Sequence, residues 1–82
     1  MKISETIQAD LAFAKQCDLQ SCAELQHLFD GTRNADHEAA ILFLKDRYKQ
    51  AEDIVEAPQR ELVRSICNRY LHMLGRPEKG HK

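Results

Sequence analysis

Apolar residues recur at helical spacing through most of this chain. Ile7, Leu11 and Ala14 fall on one side of a first amphipathic segment, with Ser4 as a candidate N-cap and Ile3 before it as a hydrophobic staple. That segment is expected to fray between Gln16 and Asp18. Ser21-Cys22-Ala23-Glu24 has the form of a capping box and opens a short second helix carrying Cys22, Leu25, Leu28 and Phe29. Gly31, suited to a left-handed residue, is expected to end it. Because Asp18-Leu19-Gln20 contains no helix breaker, residues 4–29 also read as one bent helix.

Thr32-Arg33-Asn34-Ala35-Asp36 is the convincing loop, with Asn34 or Asp36 as the next N-cap. Positions 37, 41, 44, 48, 51 and 55 are His, Ile, Leu, Tyr, Ala and Val. Their alternating steps of four and three are those of a bundle or coiled-coil seam, and predict a third helix to about Glu56. Within it, the run Ala39-Ala40-Ile41-Leu42-Phe43-Leu44 leaves no polar face at about 100° per residue. A helix apolar all round has to be covered all round, as the hub of a bundle or half of an interface. Ile41 and Leu44 belong to the seam. Leu42 and Phe43 are surplus, and with Tyr48 they are the candidate partner-binding residues.

Pro58 suits the first turn of a fourth helix, with the chain breaking near Ala57. Leu62, Val63, Ile66, Cys67, Tyr70, Met73 and Leu74 form its apolar stripe, and Gly75 with Pro77 marks its end. No stretch alternates with period two. The expected fold is therefore all-α: a three- to four-helix bundle, helices three and four an antiparallel hairpin, in a single domain over residues 1–76 with a flexible polar tail over 77–82. A chain of 82 residues buries only somewhat more than about 60% of its unfolded surface, which favours a dimer.

Charge changes the picture in one respect. Residues 1–44 sum to −4 and residues 45–82 to +3. Arg60, Arg64, Arg69 and Arg76 form a basic stripe along the last helix, a candidate surface for a phosphate backbone. Against it, Glu61 interrupts the stripe, five scattered aromatics make no stacking platform, and no helix-turn-helix spacing is present.

The cysteines Cys17, Cys22 and Cys67 are odd in number, and Met1-Lys2-Ile3-Ser4 leads into no apolar signal segment, so free thiols in the cytoplasm are expected. Cys17-x4-Cys22-x4-His27 is the nearest approach to a metal motif. On a helix its three members point in different directions and no fourth ligand follows, so no metal or other cofactor is expected. Gly80-His81-Lys82 holds no copper chelate, because its glycine nitrogen is an amide. His37 is expected in the first turn of its helix, with pH sensing at an interface as its functional alternative, and His72 on a polar face. No nucleophile has a base at useful spacing, and no Gly-rich phosphate loop or H-E-x-x-H is present, so an enzyme is not expected.

Ile41, Leu44, Ile54, Ile66 and Arg69-Tyr70 resemble the second half of small biofilm-modulation connector proteins. Cys67-x-x-Tyr70 followed by Gly75 is similar to the end of the plasmid RNA-binding four-helix dimer. These are positions any helical hairpin fills in the same way, and neither likeness assigns a site residue. What the two share implies a small helical regulator that dimerises. Without catalytic chemistry, the function expected is a cytoplasmic protein–protein interaction module (adaptor, inhibitor or regulator) binding itself or a larger protein, without contact to a membrane. A nucleic-acid-binding regulator is the alternative.

Overall fold

The computed structural model describes residues 2–75, and all regular structure among them is helical. Helix α1 spans Ile3–Cys17, α2 Cys22–Thr32, α3 His37–Gln50 and α4 Ala57–Met73, with a 3-10 turn at Ala51–Asp53. α1 packs mainly on α2 and α3 on α4, and α2 meets α3 between the pairs. The principal extents of 35 × 33 × 18 Å describe a slab about two helix diameters thick. In a slab of that thickness every helix keeps an outer face. Arg76 and the tail predicted over residues 77–82 lie outside the described residues.

α1 and α2 are separate helices. Asp18 takes a left-handed conformation (φ 54°, ψ 46°), Leu19 N–H donates to the Ala14 carbonyl at 2.9 Å, and Asp18 N–H donates to that of Lys15 at 3.3 Å. This is a Schellman termination with aspartate in the position glycine usually holds. Aspartate tolerates it because its short polar side chain makes the left-handed region less costly than it is for most residues. The N-cap of α1 is Lys2 rather than Ser4, which lies inside the first turn and is 6% exposed.

The predicted capping box at Ser21 does not form. Ser21 is helical (φ −73°, ψ −6°) and makes no side-chain cap bond, and Glu24 turns instead to Arg47 of α3. A charge-assisted fork to a guanidinium is stronger than a local bond back to an N–H. Gly31 does not end α2 either. The helix continues through Thr32, whose hydroxyl donates to the Leu28 carbonyl at 2.8 Å. Asp36 is the α3 N-cap, its carboxylate accepting from Ala39 N–H at 2.8 Å.

α3 stops at Gln50, short of the predicted Glu56. The 3-10 turn closes with Ile54 N–H on the Ala51 carbonyl at 3.0 Å, and Ile54 and Glu56 are extended. Two β-branched residues, Ile54 and Val55, disfavour continuing the helix. Arg60 holds the turn by donating to the Ile54 carbonyl at 3.0 Å. Pro58 lies in the first turn of α4, and Gly75 follows its end at φ 78°.

The core joins Ile7, Leu11 and Ala14 of α1, Leu25 and Leu28 of α2, Ile41, Leu44 and Tyr48 of α3, and Val63, Ile66, Cys67, Tyr70 and Leu71 of α4. The α3 seam holds at Ile41, Leu44, Tyr48 and Ala51 and fails at its ends, where His37 and Val55 are exposed. α3 is therefore one wall of the core rather than its hub.

Candidate interaction surface

The three residues predicted to face a partner have different fates. Leu42 is 67% exposed, on an α3 face shared with Glu38, Asp46 and Lys49. A single leucine among charges is ordinary protein surface. Phe43 is half-buried on the other side, where its ring packs against Gly31 and lies 5.8 Å from the His27 ring, tilted by 33°. Tyr48 is buried in the core. The six-residue apolar run is thus covered on two sides by its own chain, and its outer side has one apolar residue of any size.

The basic stripe is similarly engaged within the chain. Arg60 serves the Ile54 carbonyl. Arg64 donates to the Tyr48 hydroxyl at 3.2 Å and lies 5.0 Å from that ring's centroid. Arg69 lies 4.6 Å from the Tyr70 ring, donates to the Tyr70 hydroxyl at 2.8 Å, and forms an ion pair with Asp10 of α1. Tyr70 also donates to Asp10, so one carboxylate receives a phenol and a guanidinium. Burial opposes ionisation of Asp10, but these two hydrogen bonds and the Arg69 charge outweigh it and hold the carboxyl below its usual range. Burial pushes the Tyr70 phenol up, and its bond to Asp10 pushes it further.

Two features escaped the sequence reading. The first is the Glu24–Arg47 pair, with both Glu24 oxygens within 3.3 Å of the guanidinium and Arg47 also donating to Gln50 at 2.9 Å. Its signal was the phase of Glu24, one turn before Leu28 on the buried side of α2. The second is the outer face of α1. Ala9, Ala12, Phe13, Gln16 and Cys17 are all exposed, at spacings i, i+3, i+4, i+7 and i+8, and none is charged. Phe13, at 60%, is the most exposed aromatic among the described residues. α1 therefore carries two helical stripes, one in the core and one facing water. The second is visible in the residue pattern alone, but it is shorter and less hydrophobic than the run in α3.

All three cysteines are free thiols. Cys17 is exposed at the end of α1, Cys22 is half-buried and Cys67 is fully buried, with burial pushing its thiol up to about 12. Cys17, Cys22 and His27 do not converge, and among the described residues no three His, Cys, Asp or Glu side chains come together as a metal site. No helix among the described residues is long and apolar enough to cross a membrane. No known protein family, curated protein or solved structure matches the chain.

Proposed function

We propose that this protein is a small, non-catalytic interaction module of the cytoplasm, an adaptor, inhibitor or regulator that docks on another protein through the outer face of α1. Phe13 is the anchor. The observation that carries the reading is a 60%-exposed phenylalanine on an uncharged helical stripe. Interface centres are depleted of charge, and a few large side chains, aromatics prominent among them, supply most of the binding energy. Ala9 and Ala12 beside Phe13 let a partner backbone approach closely. The partner is a second copy of the chain or a larger protein. In this reading α3 and α4 run as an antiparallel hairpin, supported by the Arg64–Tyr48 bond across them and the short turn between them.

A photo-crosslinking residue placed at position 13 tests this against the same residue at position 42. Adducts with a protein are expected from 13 and not from 42, and Phe13→Glu should abolish the complex while leaving the helical circular dichroism intact. Equal yields from both positions, or no adduct from 13, would remove the α1 face from consideration. The nucleic-acid reading ranks second. The +3 charge of residues 45–82 favours it, whereas the intrachain partners of Arg60, Arg64 and Arg69 weaken it. Salt-dependent binding to duplex DNA or RNA that Phe13→Glu leaves unchanged would put it first.

A further inference from the structure

A cavity of about 200 Å³ opens where the start of α1, the end of α2 and the start of α3 meet, with Leu74 closing one side. It is larger than structural water requires, since one water occupies about 30 Å³ in the liquid. Ser4 lines it and is 94% buried by its 6% exposure, yet among the described residues its hydroxyl has no hydrogen-bond partner. Glu24 and Thr32, also buried among the described residues, are both satisfied, Glu24 by Arg47 and Thr32 by the Leu28 carbonyl. A buried hydroxyl left alone is unusual, and it lies beside an open space.

The surroundings of Ser4 give the sign of the missing partner. α1 has no side-chain N-cap, so among the described residues the N–H groups of Ile3 and Ser4 have no partner at the positive end of a fifteen-residue helix. Lys2 brings a full positive charge to the same rim, and His37 adds ring nitrogens from the facing helix. Asp36 also reaches the cavity, but its carboxylate is held on Ala39 N–H at the α3 N-terminus, which partly offsets its charge. The remaining wall is Ile3, Ala35, Ala40 and Leu74, which are apolar, and Thr32, whose hydroxyl donates to the Leu28 carbonyl.

We propose that this cavity is a binding site for a small carboxylate with a short aliphatic body. The carboxylate sits on Ser4 Oγ, the Ile3 and Ser4 amides and the Lys2 ammonium, and the body lies against Ala40 and Leu74. The site is independent of the α1 docking face, because the core-facing side of α1 supplies Ser4 and the opposite side carries Phe13.

Butyrate titrated into the isotope-labelled, untagged chain and followed by amide NMR tests the assignment, with chloride and inorganic phosphate as parallel arms. Butyrate should shift the Ile3, Ser4 and Ala40 amides saturably with a Kd in roughly the millimolar range, and chloride should not. Ser4→Ala, which leaves the helix intact, should weaken butyrate roughly tenfold, the worth of a hydrogen bond to a charged group. Lys2→Gln should weaken it as well. Absence of saturable shifts, or wild-type affinity in Ser4→Ala, would overturn the site. Tighter binding of phosphate than of butyrate at the same amides would overturn the carboxylate assignment.

Discussion

The ring of Phe43 on α3 occupies the space where Gly31 on α2 lacks a side chain. A Cβ at Gly31 would stand 2.5 Å from both Cε1 and Cε2 of that ring, inside van der Waals contact. Gly31 is helical, so alanine there would ordinarily stabilise by about 1 kcal/mol. With Phe43 present the sign reverses, because the added methyl drives the ring off its seat or parts α2 from α3, at about 1–3 kcal/mol. Gly31→Ala should therefore lower the urea midpoint of the wild type and raise that of Phe43→Ala. Stabilisation in both backgrounds would show that the Phe43 ring yields to the added methyl, and destabilisation in both would show that Gly31 terminates the helix.

Leu42 and Phe43 are neighbours in sequence with opposite environments, which gives a second prediction. Leu42→Lys places a cation between Glu38 and Asp46, four residues away on either side, and should change stability by no more than about 0.5 kcal/mol. Phe43→Lys removes the contact with Gly31 and should cost about 1–2 kcal/mol in the same denaturation assay. Oligomeric state by sedimentation should be unchanged in Leu42→Lys. A monomer produced by Leu42→Lys from a wild-type dimer would return the interface to α3.

How far these environments could be read in advance differs from residue to residue. The all-helical class, the Pro58 start, the Gly75 end and the buried positions Ile7, Leu11, Ile41, Leu44 and Tyr70 follow from periodicity and local stereochemistry, which depend on a few neighbouring residues. The roles of Gly31 and Glu24 are decided by residues 12 and 23 positions away, beyond any local pattern: Phe43 fills the space over Gly31, and Arg47 draws Glu24 from Ser21. Asp18 was hidden for a different reason, since a left-handed aspartate can end a helix without the glycine that normally announces it. The apolar run in α3 predicts burial all round by hydrophobicity, whereas its outer side is set by the charged neighbours it meets there. Among Glu38, Asp46 and Lys49, Leu42 has no companion.

Asp10 links α1 to α4 and should dominate the acid side of the stability profile. Its folded carboxyl titrates below the usual range, despite burial, because Tyr70 and Arg69 donate to it. A depressed carboxyl contributes stability above its unfolded value, near pH 3.9, and loses that contribution as pH falls through the folded value. Asp10→Asn should be less stable than wild type at pH 7, by up to about 1 kcal/mol for a partly solvated pair. The difference should close as the pH is lowered through the acid range. A gap that persists unchanged into strong acid would mean that shape, not charge, holds Asp10 to Tyr70.

Cys67 sets the alkaline side. It is fully buried, and desolvation, with a smaller push from the Glu24 charge, raises its thiol from 9.0 to about 12. Here the sign is reversed: the unfolded chain releases the proton first, so stability is intact below the unfolded value and declines as pH rises toward the folded one. The decline should approach about 1.4 kcal/mol per pH unit above pH ~9, until Tyr70, whose phenol is also raised, adds a second slope above pH ~10. Urea midpoints measured from pH 7.5 upward should show the first slope in wild type and lose it in Cys67→Ala, whatever the substitution costs in packing at pH 7. Thiol reagents give an independent reading: Cys17 should react in the native state, and Cys67 only at the rate of unfolding. Fast native-state labelling of Cys67, or an alkaline slope that survives in Cys67→Ala, would mean that the core around this thiol opens to water far more readily than its full burial implies.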